Sequence, residues 1–436
     1  MNKKMFHKKS IDIVFIIQRL DILGHKDIDH YLPFFYFLTK NKQFNYTARG
    51  LVFDSKKNFL KKKDPKIKLL LSLKNVDLEF LEEGYFFNLI KQFKLKIIKN
   101  NFIFTKFLNK LLFKMESILS KNIKLNNKLG NNFINSKRPI IITLLSKKNL
   151  NIISDIKRFN KRAKSVELTH GTDVCDNKMV LESNLDKNEI TKNEKIYDKI
   201  DYFIKTSKRE LKDAVSKGMN KKKVIAIGSP RYSREWFKIK SNLKLDGSKV
   251  VLNKKYKIKI LFVMPKQNIN IFWEELIRTI DFVSSYQKFE LVLLNYNKYF
   301  PKIPNEIINR INIRYYFISE KYSTSKLIDW ADIIFHAGTG IVFEFFMKEK
   351  ITVLPKYLTC NTLISDKYNA GYNLNNRDEL RNFCNMASNL LKDLKKNYRK
   401  QCRQNNKKFI NDFVYVNSKS ISRNIDKALE NIYSLF

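Results

Sequence analysis

Three short segments place a side chain able to do acid–base or phosphate chemistry directly after an apolar run. Thr169–Asp173 reads Thr-His-Gly-Thr-Asp, and its His170 could act near neutral pH as a general base on a hydroxyl group. Gly228–Tyr232 contains Arg231, whose guanidinium can bind a phosphate or carboxylate through two parallel hydrogen bonds. In both segments the alternative is structural: a histidine hydrogen-bonded within its loop, or an arginine paired with a core carboxylate.

The third segment, Ala331–Glu344, runs from an apolar strand-like stretch through small residues into a helix. Free backbone N–H groups and the helix dipole favour a phosphate at Gly338–Gly340. Glu344 lies about one turn into that helix, where its carboxylate could accept hydrogen bonds from ribose hydroxyls. Its apolar neighbours predict a largely buried helix, and a buried carboxylate needs partners.

Strands and helices that could position these segments alternate along the chain. Ile11–Gln18 is predicted as a buried strand, followed by a polar loop, Arg19–Tyr31, and a helix at Leu32–Leu38. This alternation predicts doubly wound parallel sheets, in which ligands bind beyond the carboxyl ends of the strands. The other predicted strands are Arg138–Leu145, Ser165–Leu168, Tyr202–Lys205, Val224–Ile227, Ile258–Val263, Glu290–Leu294, Ile313–Ile318, Asp332–Phe335 and Ile351–Leu354, and the other predicted helices are Leu150–Arg162, Lys208–Lys217, Phe272–Tyr286, Ser323–Trp330 and Ile341–Met347.

A polar, Lys-rich stretch at 237–255 is the predicted linker between two domains, and 436 residues suit two domains of ordinary size. Residues 1–236 form the predicted acceptor-side domain, and 256–436 the predicted nucleotide-binding domain ending in helices. Two Rossmann-like halves in tandem favour an α/β fold of the GT-B type, with the domains facing each other across a cleft. One larger open sheet is the alternative.

Residues 85–125 form a basic, aromatic and apolar insertion in the first half. A pair of amphipathic core helices is the structural interpretation. The functional alternative is a surface that rests on anionic lipid, which an enzyme acting on lipid-linked acceptors would require.

The amino-acid composition of the chain is typical of a globular protein and gives it a large positive charge. Lys and Arg total 85 against 42 acidic residues, a formal net charge of +43, which attracts phosphate-bearing partners in general. Lysine is abundant along the whole length, so the bias of an AT-rich genome is the alternative to a dedicated anionic partner. No RRM, KH or zinc-finger pattern is present, and binding to specific nucleic acids is not expected.

The cysteines form no CxxC pair, which favours a reducing compartment over a disulfide framework or zinc site. No stretch approaches the roughly 18 apolar residues of a membrane span, and the first apolar run is interrupted by Asp12. The prediction is a cytoplasmic protein, with peripheral contact at the inner face of the plasma membrane as a further expectation.

The order of the three segments resembles the CDP-glycerol glycerophosphotransferases and the related GT-B enzymes of capsule and surface-carbohydrate assembly. The matching stretches are His170–Thr172, Gly228–Arg231 and Asp332–Pro355, within a region somewhat under half the chain. The resemblance implies a nucleotide held by the C-terminal domain, His170 as base or donor-phosphate contact, and Arg231 as phosphate or acceptor contact. The glycerophosphotransferases usually have Asp-Tyr-Ser-Ser where this chain has His336 to Thr339, and a Trp where it has Thr169, which favours a sugar nucleotide over CDP-glycerol.

The predicted activity is that of a metal-independent glycosyltransferase without a bound cofactor, which moves a sugar from a nucleotide-activated donor to a surface polysaccharide or lipid-linked glycan. A CDP-glycerol-type polyol-phosphate transferase is the nearest alternative. A nucleotide-sugar epimerase is the next alternative. Such an enzyme needs further carboxylates and histidines in the cleft, and the loop Arg19–Tyr31 offers His25, Asp27, Asp29 and His30. The predicted catalytic residues are His170 and Arg231, the donor-side residues are Gly171, Thr172, Ser229, Lys266, His336, Gly338, Thr339, Gly340 and Glu344, and the acceptor-side residues are His25 and Asp27.

Lys266 is included because GT-B enzymes stabilise the leaving diphosphate with Arg, Lys and helix dipoles in place of a bound cation. It follows a predicted strand directly, although a surface lysine among many is the alternative. No residue is predicted to bind a metal.

Overall fold

The fold comes from a computed structural model that describes residues 9–17, 27–40, 44–52, 56, 65–80, 139–144, 147–169, 198–216, 218–243, 258–265, 271–295, 303–310, 312–317, 324–416 and 420–434. The predicted insertion at 85–125 and most of the predicted linker lie outside these residues.

Seven parallel strands form the first sheet, in the order β3-β2-β1-β4-β5-β6-β7. The order reverses between β1 and β4, which is where a doubly wound sheet opens a crevice for ligands. Strand β1 pairs with β2 over nine residues and with β4 on its other side. The strands are β1 Lys9–Ile17, β2 Phe44–Val52, β3 Val76–Phe80, β4 Pro139–Thr143, β5 Lys164–Leu168, β6 Tyr202–Lys205 and β7 Val224–Ala226.

Six parallel strands form the second sheet, in the order β10-β9-β8-β11-β12-β13. The pattern repeats that of the first sheet, with the reversal between β8 and β11. The prediction of two doubly wound sheets is therefore confirmed, and the alternative of one larger sheet is wrong. The strands are β8 Ile258–Val263, β9 Phe289–Asn295, β10 Ile313–Phe317, β11 Ile333–His336, β12 Ile351–Pro355 and β13 Tyr372–Leu374.

Helices cover both faces of the two sheets, as parallel strands with apolar side chains on both faces require. They are α1 Ile28–Thr39, α2 Pro65–Ser72, α3 Lys147–Phe159, α4 Lys208–Ser216, α5 Arg234–Asn242, α6 Trp273–Ser284, α7 Asn305–Ile308, α8 Thr324–Trp330, α9 Val342–Met347, α10 Ile364–Lys367, α11 Arg377–Asn389, α12 Leu391–Ile410 and α13 Ile421–Ser434. Short 3-10 turns occur at Lys221–Lys223, Pro230–Tyr232 and Lys356–Leu358. None of the helices in the described part of the chain is long and apolar enough to span a bilayer.

Helix α13 packs on the first sheet, although it follows the strands of the second. Its buried residues Ile421, Ile425, Leu429 and Ile432 share one core with β1 and α1. The chain returns through a π-helical turn at Asn411–Tyr415. The predicted domain limits at 236 and 256 stay predictions.

Gly228 fixes the point where this return passes the first sheet. Its φ is +89°, and a Cβ there would lie 2.1 Å from the carbonyl oxygen of Val414. Ser229 N–H donates to that same oxygen at 2.9 Å. The Asn424 amide donates to the carbonyls of Ile227 and Tyr415, both at 2.9 Å. We call these contacts the clasp.

Candidate functional site

Five predicted site residues lie outside the described residues, namely His25, His170, Gly171, Thr172 and Lys266. The predicted roles of all the site residues stay predictions. The described ones are Asp27, Ser229, Arg231, His336, Gly338, Thr339, Gly340 and Glu344.

His336 is the last residue of β11 and pairs in register with Val263 of β8, at the point where the strand order reverses. Its side chain is buried, and this burial lowers the pKa of His336 to about 3. The imidazole is therefore neutral at physiological pH. Gly338 N–H donates to its Nδ1 at 3.4 Å, so the ring proton belongs on Nε2. Such a ring can donate a hydrogen bond but cannot serve as a base near pH 7.

The loop after β11 turns sharply at Gly338, whose φ of +107° lies in the region that favours glycine. Thr339 starts the next turn, with its carbonyl accepting from Val342 N at 3.2 Å. Helix α9 has only six residues, close to the predicted Ile341–Met347, so its dipole is small and anion binding here would depend mainly on backbone N–H groups. A cavity of about 10 Å³, roughly the space of one water molecule, lies between this loop, Ser365 and Phe409.

Glu344 is buried in α9 and ion-paired within the protein. It accepts a hydrogen bond from the Ser325 hydroxyl, and Lys348 Nζ lies 2.9 Å from its Oε1. Burial opposes ionisation, but the charges of Lys240 and Lys348 and the Ser325 hydrogen bond outweigh it and lower the pKa of Glu344 to about 2. Lys348 also contacts Asp329 Oδ1 at 2.8 Å. Glu344 does not line the cavity beside His336, so its predicted ribose contact stays a prediction.

The first turn of α1 lies at the corresponding point of the first sheet. Leu144, directly after β4, donates its N–H to the Tyr31 hydroxyl at 3.1 Å. The predicted loop ran to Tyr31, and this was wrong at its end, because the helix begins at Ile28. Asp27 is buried at the start of α1, and its carbonyl accepts from the N–H groups of His30 and Tyr31. The helix thus places Asp29 and His30 next to the crevice.

Asp29, His30 and Arg231 meet there from distant parts of the sequence. Lys66 Nζ lies 2.6 Å from Asp29 Oδ1. Burial opposes the charge of Asp29, but Lys66 and Arg231 outweigh it and hold the pKa of Asp29 well below its usual range. Arg231 Nη1 lies 3.4 Å from His30 Nε2. A guanidinium has no acceptor, so in this contact His30 Nε2 is the acceptor and the ring is neutral.

Tyr232 and Lys240 connect the two sheets. The Tyr232 ring packs on Phe343 of α9 at 5.4 Å between centroids, and burial together with the charges of Glu344 and Asp29 raises the pKa of Tyr232. Lys240 of α5 lowers the pKa of both carboxylates and lies 3.4 Å from the Ser325 hydroxyl. We call the linked charges the inter-sheet cluster, whose members are Asp29, Lys66, Arg231, Lys240, Asp329, Glu344 and Lys348.

The inter-sheet cluster offers cations from both sheets beside the crevices where this type of sheet binds ligands. Arg231 and Lys240 can stabilise negative charge that develops on a phosphate. The sequence indicated Arg231 but only grouped Asp29 and His30 with a polar loop, and it gave no signal for Lys240. Among the described residues, no group of His, Cys, Asp and Glu side chains is arranged to hold a metal ion.

No family model matches the sequence, and no curated protein matches it. The fold, however, is similar to solved structures over nearly the whole chain. The HepE protein of Anabaena, solved with UDP and glucose, has a TM-score of 0.52 at 12% identity, covering 96% of this chain and 99% of that one. A UDP-GlcNAc 2-epimerase from Neisseria meningitidis, bound to UDP-GlcNAc, has a TM-score of 0.54 at 11% identity, covering 98% and 100%. The glycosyltransferase of kitacinnamycin has a TM-score of 0.50 at 8% identity, covering 96% and 98%.

These identities show the fold alone. The chain has the GT-B architecture of two Rossmann-like domains facing each other across a cleft, as the alternation of its elements predicted.

Proposed function

We propose that this protein is a glycosyltransferase that moves a sugar from a nucleotide-activated donor to a glycan acceptor. The observation that carries the proposal is the inter-sheet cluster, in which Lys240 lowers the pKa of Asp29 in α1 and of Glu344 in α9, and Arg231 contacts His30. Solved proteins with this fold include one bound to UDP and glucose and one bound to UDP-GlcNAc. A nucleotide sugar is therefore the ligand class that best fits the site.

On the donor side, the diphosphate would contact the backbone N–H groups of Thr339 and Gly340 and the Nε2–H of His336, while the Gly338 N–H donates to His336 Nδ1. As the bond from the anomeric carbon to the diphosphate oxygen breaks, negative charge grows on the leaving group. Arg231 and Lys240 would stabilise that charge without a metal ion. Lys266, Gly171, Thr172 and Ser229 remain predicted donor contacts.

On the acceptor side, a base must remove the proton of the attacking hydroxyl. His170 remains the predicted base. His30 is a second candidate, because it lies in the first turn of α1 with its Nε2 directed at Arg231. Displacement of that contact by substrate would free a neutral nitrogen to accept the proton. Asp27 and His25 remain predicted acceptor-side residues.

A nucleotide-sugar epimerase is the second candidate function. Two observations favour it: epimerases are among the solved proteins with this fold, and Asp29 and His30 place a carboxylate and an imidazole in the crevice. A CDP-glycerol-type transferase rests on the resemblance of three sequence segments. The proposal also includes a surface polysaccharide or lipid-linked acceptor, a cytoplasmic location and peripheral contact with the membrane.

The test is a thermal shift series with UDP, CDP, CMP, GDP and their common sugar or glycerol conjugates. We expect one nucleotide to stabilise the protein, and Lys240→Ala to weaken its binding roughly tenfold through loss of one charge-assisted contact. Lys238→Ala is the matched control, because Lys238 is an exposed lysine of the same helix. Stabilisation by none of the ligands would contradict the proposal. With the nucleotide known, NMR of the incubated sugar nucleotide distinguishes an epimerised product from a transferred one.

A further inference from the structure

A second and larger cavity opens at the carboxyl ends of the second sheet. It is an open groove of about 640 Å³ between the first turns of α6 and α11, with the 3-10 turn that follows β12 as its floor. Small-molecule sites commonly measure about 300–1,000 Å³. The groove shares no lining residue with the cavity beside His336. The proposed function leaves this groove without a role.

Three aromatic side chains line it. Phe272 is 54% exposed, whereas the other phenylalanine side chains that the structure describes are buried or half-buried. Trp273 follows it and is half-buried. The half-buried Tyr357 forms the floor, with its hydroxyl 3.0 Å from Thr279 Oγ1. Aromatic rings left in contact with water at a concave site are available to pack against the apolar face of a ligand.

The charges that line the groove are balanced. Arg377 makes a two-pronged contact with Glu275, and Arg278 lies 3.7 Å from Glu274. The lining thus holds two arginines and two glutamates, whereas basic residues outnumber acidic ones 85 to 42 in the whole chain. The lining as a whole therefore has no excess of positive charge that would attract a phosphate.

The helix dipoles do not restore an anion site. The first turns of α6 and α11 both point into this region and would favour an anion through their free N–H groups. Each turn carries two carboxylates, Glu274 and Glu275 in α6 and Asp378 and Glu379 in α11. Asn376 also caps α11, since its side chain accepts from Glu379 N at 2.9 Å. The helix ends are therefore already neutralised by the protein.

We propose that this groove, the aromatic groove, binds uncharged sugar residues of a glycan. A sugar ring combines apolar C–H faces, which pack on Phe272, Trp273 and Tyr357, with hydroxyls that pair with planar groups such as those of Glu275 and Arg377. The groove is open to solvent. The binding of uncharged sugars to this groove does not depend on the proposed function.

The test is calorimetric titration of the full chain with neutral tri- to pentasaccharides of glucose, galactose and N-acetylglucosamine, with sialylated and sulfated oligosaccharides as the charged set. We expect at least one neutral oligosaccharide to bind and to lose at least tenfold in affinity in the double variant Phe272→Ala, Trp273→Ala. Trp273→Phe, which retains a ring, should recover part of that loss. Leu390→Ala is the control, because Leu390 is 56% exposed and lies beyond the far end of α11.

The proposal is overturned if no neutral oligosaccharide binds, if binding is unchanged in the double variant, or if only the charged set binds. Nucleotide thermal shifts on the same proteins distinguish its failure from that of the proposed function. Sugar binding that depends on Trp273, without any nucleotide shift in the wild type, would support the groove and contradict the transferase. A nucleotide-induced thermal shift without sugar binding would support the transferase and contradict the groove proposal.

Discussion

The inter-sheet cluster and the aromatic groove both lie at carboxyl ends of parallel strands, but they place charge in opposite ways. The cluster buries carboxylates among cations from several elements, and its Glu344 has a pKa lowered to about 2. The groove keeps its ion pairs at the surface and exposes an aromatic ring. The two regions of this positively charged chain therefore differ: the cluster surrounds buried carboxylates with cations, whereas the groove balances two arginines with two glutamates.

The cluster should depend on its buried carboxylate more than on any other group. Glu344→Ala leaves Lys348 with Asp329 but without its buried partner, and breaking a buried pair in this way costs about 3–5 kcal/mol. Urea denaturation measures the loss. Glu306→Ala, at an exposed helix position, is the control and should change stability by under about 0.5 kcal/mol. A loss below about 1 kcal/mol for Glu344→Ala would mean that the cluster is open to water.

The clasp beside the cluster can be tested with two glycines of similar φ. Gly228→Ala puts a Cβ against the Val414 carbonyl, whereas a Cβ at Gly218, where φ is +92°, would meet none of the described residues within 4 Å. Both variants carry the cost of a left-handed alanine, about 1–2 kcal/mol. Gly228→Ala should lose a further 1–3 kcal/mol or so by overpacking. Equal unfolding free energies for the two variants would contradict a tight clasp.

Acid should cost the cluster more stability than the groove, because the pKa of the buried Glu344 is lowered to about 2. The folded pKa of Glu344 lies below its ordinary value of 4.5, so its contribution to stability is present above about pH 4.5 and is lost as the pH falls towards 2. Asp29, whose pKa is also lowered, acts in the same direction. Unfolding free energies at several pH values should fall less steeply over this range in Glu344→Gln than in the wild type. If the unfolding free energies of the variant and the wild type fall equally with pH, groups other than Glu344 cause the loss of stability in acid.

The groove should show the smallest effect on stability. Phe272→Ala removes a side chain that is 54% exposed, so the free energy of unfolding should change by under about 0.5 kcal/mol. The same denaturation experiment measures it. A loss above 1 kcal/mol or so would mean that Phe272 supports the fold, and the ring would then be less available to a ligand.

The sequence predicted the strands of the second sheet well, because buried parallel strands appear as continuous apolar runs such as that of β8. It missed the three-residue strand β13 of the second sheet, and β2 and β3 of the first. Both β2 and β3 alternate polar and apolar residues, as in Asn45 to Arg49, since one face of each is partly exposed near the edge of the sheet. That alternation is itself a strand signal, which a search for continuous apolar runs does not detect.

Local capping was also predictable. Ser207 accepts a hydrogen bond from Glu210 N at 3.0 Å at the start of α4, and Gly218 follows its end with positive φ, and these are residue types that commonly cap the two ends of a helix. The inter-sheet cluster was not predictable, because its contacts join residues far apart in the sequence. His30 meets Arg231 across 201 positions, and Lys240 meets Ser325 across 85. Only the strand order brings them together.

The return of α13 to the first sheet affects how the protein can be made. Strands β1 to β7 leave the ribosome before the residues that cover their apolar face, and roughly 200 further residues must follow before α13 emerges. At about 5–20 residues per second that interval lasts roughly 10 to 40 seconds. During it, the surface that Ile421, Ile425 and Leu429 will cover stays exposed on the nascent chain. The first half of this protein therefore completes its core only after the second half has been synthesised, and until then its uncovered apolar surface is open to non-native contacts.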